Sequence, residues 1–166
     1  MNIYFKYEFI SWYFLTFLTI YVLVHVPLDL AMLLHKSGTR YPNPSFRNSF
    51  EKILVIVPSL VFWIYISIFP MISILLNFNA FIVINLKFLP KLIYGIIQII
   101  GLSLMSYGLI IACFGRIGRG LYLRHNTPKL IKKGGFRIVR HPNYAFYIFN
   151  YIGILLLTTN LFLLLL

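Results

Sequence analysis

Acidic side chains are nearly missing. Glu8, Asp29 and Glu51 are the only three, against fifteen Lys and Arg. Cys113 is the single cysteine, which excludes an internal disulfide and a cysteine metal cluster. His35 and His125 have no acid or cysteine at ligand spacing, and no metal set is expected. Charge of any kind is scarce, at 11% of residues, while 60% are hydrophobic. That balance lies outside soluble globular usage and points to an integral membrane protein. A net charge of +12 can signal a nucleic-acid binder, but such a binder would not carry this much Leu, Ile and Phe. The better partner is an anionic cytoplasmic leaflet, or an anionic ligand held near it. The N-terminus lacks a small-residue cleavage site, and its first apolar run is too long for a signal peptide.

What the chain does have is long apolar runs. Four stand out: residues 9–34, 53–76, 92–114 and 142–158. A hydrocarbon core of ~30 Å needs roughly 20 helical residues, which the first three supply. The fourth is about 25 Å long at ~1.5 Å per residue. Thr158-Thr159-Asn160 then reads as a tight turn, and Leu161 to Leu166 as the first turns of a fifth helix. The expected fold is all-α, a single polytopic membrane bundle over 1–166 with four spans and the start of a fifth. No internal repeat is present, and no linker is long enough to separate one domain from another.

The connections suggest an orientation. Lys36, Arg40, Arg47 and Lys52 flank the first loop, and eight further basic residues fill the basic loop 115–141. Only Lys6, Lys87 and Lys91 lie on the other side. The positive-inside rule places the basic loops in the cytoplasm and the N-terminus outside.

The densest polar cluster opens the fourth span: Arg137, Arg140, His141, Pro142, Asn143 and Tyr144. Some of this is ordinary membrane physics. Proline suits the first turn of a helix, arginine snorkels to headgroups, and tyrosine belongs to the interface. Those preferences do not explain why Arg, His, Asn and Tyr crowd one helix start. Free N–H groups there favour an anion, and Arg137, Arg140 and His141 add a site suited to a carboxylate or phosphate.

The run Leu130-Ile131-Lys132-Lys133-Gly134-Gly135-Phe136-Arg137-Ile138-Val139-Arg140-His141-Pro142-Asn143-Tyr144 resembles the signature of the isoprenylcysteine carboxyl methyltransferase family and its phospholipid-methyltransferase relatives. The resemblance covers residues 130–166 well and the earlier chain only in topology. It implies an S-adenosylmethionine-dependent methyltransferase of the membrane, with cofactor entering from the cytosol and a lipidic or prenylated acceptor arriving laterally between helices. It also implies that Arg140, His141 and Tyr144 line a cofactor pocket, with Gly134 shaping the loop and Arg137 beside it. The sulfonium carries its own electrophilic methyl, so such a protein mainly aligns donor and acceptor and excludes water. A carboxylate acceptor needs no base, whereas an ammonium must first lose a proton.

Departures from the family are specific. Gly135 stands where Pro is usual, and Phe146 where Gly is expected. The family also places an acid-rich segment with a Glu pair after the hairpin, whereas no acid follows Glu51 here. The expectation is either a chain shortened at its C-terminus or a degenerate, non-enzymatic member. Membrane sterol and steroid reductases that use NADPH share the Arg-His-Pro-Asn-Tyr run, but Tyr147 takes the place of their acid.

Other features are weaker. His25 and Asp29 are four apart around Pro27 and share one helical face. They are either an acceptor-side pair or an interfacial pair that satisfies itself. Gly115, Gly118 and Gly120, with Arg116 and Arg119 among them, read as a glycine-rich helix end and not as a dinucleotide fingerprint. Their backbone could border the cofactor. His35 and His125 are lone loop histidines.

Overall fold

A long apolar stretch in a membrane must satisfy its own backbone hydrogen bonds, and each such stretch here does so as a helix. The computed structural model describes residues 5–34, 49–81, 90–123 and 135–159, and among these it is all-helical, with no strand. The elements are α1 (Tyr7–Leu34), α2 (Ser49–Leu75), α3 (Lys91–Leu123), the single turn α4 (Gly135–Ile138) and α5 (Pro142–Thr158). Three helices are long and apolar enough to cross a membrane among the described residues: Tyr7–Ala31, Ile56–Leu75 and Lys91–Arg119. Their outer faces carry exposed Trp12, Leu23, Leu60, Leu75 and Ile99. Apolar exposure on that scale suits lipid and not water. The protein is an integral membrane protein. With 17 residues, α5 is the shortest of the long helices. The expected start of a fifth helix falls in 160–166, outside the described residues.

The third helix differs from its sequence reading. It does not end near Phe114 but continues through Gly115, Gly118 and Gly120 to Leu123. Glycine costs about 1 kcal/mol in a helix interior. Tertiary packing offsets that cost at Gly115. A Cβ there would lie 2.8 Å from Pro142 Cβ, and one on Gly135 would lie 2.7 Å from Gly115 N. The gap left by the missing side chain is therefore filled by α4 and by the start of α5.

Helix α5 packs chiefly on α3, and α1 packs on α2 and α3. The α3–α5 seam is set by small residues at seven-residue spacing on α3. A Cβ at Gly101 would meet the Gly153 carbonyl oxygen at 2.7 Å, and one at Gly108 would meet Asn150 Nδ2 at 2.7 Å. With Gly115 against Pro142, this ladder holds α5 at near-backbone contact along its length, the usual device for helix pairs in lipid.

Opposite ends of the bundle have different chemistry. At one end Gln98, fully buried, ties three segments together. Its Oε1 accepts from Phe5 N at 2.7 Å, and its Nε2 donates to Phe5 O at 3.3 Å and Leu157 O at 3.2 Å. Thr159 closes α5 there in a left-handed conformation (φ 53°, ψ 33°), its N–H on Leu155 O. Replacing Gln98 with leucine leaves buried backbone groups unpaired, at a cost of about 1–3 kcal/mol. A lower thermal unfolding midpoint in detergent is the expected result; an unchanged midpoint would show that the clamp contributes nothing.

Between the ends lies an aromatic core. Phe146 is its centre, with ring centroids 5.3 Å from Tyr21, 5.6 Å from Phe62, 5.2 Å from Tyr147 and 6.1 Å from Phe17. Ser59 Oγ and Tyr147 Oη are 3.1 Å apart, and Tyr151 Oη donates to the Pro58 carbonyl. These two contacts pin α5 to α2. The ring at 146, where the resembled family has glycine, occupies the meeting point of α1, α2 and α5.

Candidate functional site

At the other end, α5 begins against α3. His141 is the N-cap of α5 (φ −129°, ψ 81°), makes no side-chain capping bond, and is followed by Pro142 at the first turn. The first N–H groups of the helix are therefore not capped by the side chain that precedes them. Pro142 is buried against Gly115, so the α3–α5 ladder fixes where His141 stands.

A cavity of about 450 Å³ opens at this junction. Gly115, Arg116 and Arg119 of α3 form one wall, and His141, Pro142, Asn143, Tyr144 and Tyr147 form the other, with Phe136 of α4 beside them. The His141 and Tyr144 rings meet edge-on, centroids 5.6 Å apart. Tyr144 is 69% exposed, so its ring stands at the mouth of the cavity and is not core packing. The cavity joins two guanidinium groups, an imidazole and three aromatic rings. That set suits a ligand with one anionic end and one soft cationic or apolar end.

The residues expected from sequence separate into two groups. His141 and Tyr144 line the cavity. Arg137 and Arg140 are exposed and are not among its lining residues. Gly134 lies outside the described residues, as do His35 and His125. The two cations that line the cavity, Arg116 and Arg119, come from α3. Arg137 lies in α4 and Arg140 in the turn before α5, whereas α3 runs along the cavity itself.

His25 and Asp29 do not pair with each other. His25 Nδ1 lies 3.0 Å from Tyr21 O, and its ring stacks on Tyr21 with centroids 3.7 Å apart and planes 10° from parallel. Asp29 forms an ion pair with Arg116. The correction has a simple cause: i,i+4 spacing shows which residues share a face, while a neighbouring helix that presents a guanidinium offers the better partner. The pair joins the ends of α1 and α3. From sequence, Arg116 and Arg119 read as residues of a helix end and not of the site. The available signal is their spacing, since residues 115, 116 and 119 fall on one side of a continuous helix.

The same two helices enclose a second, apolar space. A groove of about 370 Å³ between α1 and α3 is lined by Phe17, Ile20, Val24, Leu109, Cys113 and Ile117, with Tyr13 and Ser106 deeper along it. Tyr13 Oη is 2.9 Å from Ser106 Oγ, which satisfies both hydroxyls within the groove.

Fold and site together define an all-helical integral membrane protein with a cationic, aromatic-walled cavity at one end of the bundle. Residues 119–166 match the isoprenylcysteine carboxyl methyltransferase (ICMT) family, over a little under a third of the chain. That segment, from Arg119 through the whole of α5, is therefore isoprenylcysteine carboxyl methyltransferase-like and supports a membrane methyltransferase in general terms. Comparison with curated proteins and with solved structures returns no match.

Proposed function

We propose that this chain is a membrane-embedded S-adenosylmethionine-dependent methyltransferase that acts on a lipidic or prenylated acceptor at the cytoplasmic face. The observation that carries the reading is a coincidence of place. The family match begins at Arg119 and includes Phe136, His141, Pro142, Asn143, Tyr144 and Tyr147, most of the lining of the α3–α5 cavity.

The residues present fit the cofactor's chemistry. Arg116 and Arg119 suit its carboxylate. Phe136, Tyr144 and Tyr147 offer aromatic faces to a sulfonium, which such faces attract as they do other soft cations. Arg116 Nε is buried and has no hydrogen-bond partner, so the wall keeps a donor in reserve. A volume of about 450 Å³ lies within the range of small-molecule sites. The bound cofactor supplies an electrophilic methyl group. The chain's role is then to hold donor and acceptor in line and to keep water out. The groove between α1 and α3 gives an apolar chain a place to lie against the same helices, with the Asp29–Arg116 pair at the edge of the cofactor cavity. The excess of basic residues at this end favours the cytoplasmic side.

The test is equilibrium binding to the whole chain in nanodiscs. Saturable binding of S-adenosylhomocysteine, and none of NADPH, is the expected result. His141→Ala is expected to weaken that binding about tenfold or more, as befits a lost polar contact to a charged ligand, without lowering the unfolding midpoint. Saturable NADPH binding with none of S-adenosylhomocysteine would replace this reading with a reductase.

A further inference from the structure

Arg116 stands in unusual surroundings for a cation. It lies within the apolar stretch of α3, its side chain is only 17% exposed, and it faces the cavity while pairing with Asp29 across the α1–α3 seam. Asp29 is 50% exposed, so the pair is buried on the arginine's side and open on the aspartate's. Arg116 Nε, buried, is without a partner, so Asp29 does not exhaust the guanidinium's donors. A guanidinium offers five N–H donors in a fixed fork and can hold a second anion or exchange one for another.

We infer that Arg116 is the residue that recognises the ligand's carboxylate in this cavity, and that Asp29 is its resting partner, which the ligand displaces. This inference rests on the proposed cofactor and goes beyond it, since it assigns both recognition and a built-in competitor to residues outside the Arg-His-Pro-Asn-Tyr motif. The arrangement has a physical logic. An unpaired guanidinium at this depth is costly, so a counter-ion is needed when the cavity holds no anion. A half-exposed aspartate, two residues from the end of the apolar stretch Tyr7–Ala31, supplies one that the interface can accept when it is released. Because Asp29 sits on α1 and the cavity on α3 and α5, ligand binding also loosens one tie between α1 and α3, beside the apolar groove those helices share.

A structural ion pair and a competing one differ in sign. S-adenosylhomocysteine affinity is measured by calorimetry for the whole chain in phosphatidylcholine nanodiscs, which carry no net anionic headgroup charge. Arg116→Gln is expected to lower affinity about ten- to a hundredfold. Asp29→Asn is expected to raise it severalfold, because the competitor is gone while the side chain's shape remains. The double variant is expected to match Arg116→Gln, since Asp29 acts only through Arg116. Equal losses in both single variants would make the pair structural and overturn the inference; so would unchanged affinity in both, with the cofactor reading left standing. If the unaltered chain binds no S-adenosylhomocysteine, the cofactor reading fails. Inorganic phosphate, followed through the Arg116 Nε–H resonance, then decides Arg116 alone. A phosphate-dependent shift that saturates at lower concentration in Asp29→Asn supports anion recognition with displacement of Asp29, and no shift overturns it.

Discussion

Leucine at Gly101 is expected to prise α5 from α3 and leave little folded protein. A Cβ there would stand 2.7 Å from Gly153 O and 2.9 Å from Leu157 N, both rigid backbone atoms. Neither neighbour can yield by changing rotamer, so the helices themselves must move apart. Overpacking of an ordinary core costs about 1–3 kcal/mol, and a four-carbon side chain driven into backbone is expected to exceed that range. Alanine at the same site is expected to cost less, though still about 1–3 kcal/mol. The consequence reaches the far end of the bundle, because the same ladder seats Pro142 on Gly115 and so fixes His141. Size-exclusion in detergent should show loss of the monodisperse species for Gly101→Leu. A volume-conserving change at Ile100, 48% exposed on the same helix, should leave it intact. A well-folded Gly101→Leu protein would mean that α3 and α5 are not held at backbone contact.

Alanine at Phe146 is expected to destabilise the bundle by about 3–5 kcal/mol. The ring is 2% exposed and touches aromatic rings from α1 and α2 as well as from its own helix. Much of the loss is packing, since lipid removes the water-transfer component that drives association in solution. The remaining neighbours are large, planar and mutually wedged, which limits how far they can close the hole. Reversible unfolding in mixed detergent should show the drop. A change under about 1 kcal/mol would mean that the aromatic cluster repacks freely and is not the joint between α5 and the α1–α2 pair.

Much of the fold is legible in residue order because membrane physics is severe. The runs that form α1, α2 and α3 are apolar, long and flanked by charge, and a lipid core admits few structures for them. The extension of α3 is harder to read. Gly115, Gly118 and Gly120 carry every local sign of a helix end, and the Gly115 contact with Pro142 is made by residues far along the chain. The glycines at 101, 108 and 115 do leave a readable trace in their seven-residue spacing, which marks a face made for close approach. The candidate site is half legible. His141 and Tyr144 stand in a dense local motif and do line the cavity. Arg137 and Arg140 stand in the same motif and lie outside it, since a motif gives order along the chain and not which side of a turn faces inward. Arg116 is inconspicuous in sequence because its value depends on α1 and α5 meeting α3. Asp29 pairs with His25 on paper because, within one helix, four-residue spacing is the only neighbour relation sequence displays. Gln98 looks like an isolated polar residue in a span, and only the approach of Phe5 and Leu157 makes it a clamp.

The central claim is that the cavity between α3 and the start of α5 holds S-adenosylmethionine. Ultraviolet crosslinking of methyl-labelled S-adenosylmethionine to the whole chain in nanodiscs, followed by peptide mapping, addresses it most directly. The expected label falls within residues 115–119 or 136–147, is displaced by S-adenosylhomocysteine, and is strongly reduced in Arg116→Gln. Displaceable label confined to the opposite end of the bundle, around Phe5, Gln98 and Leu157, would contradict the account.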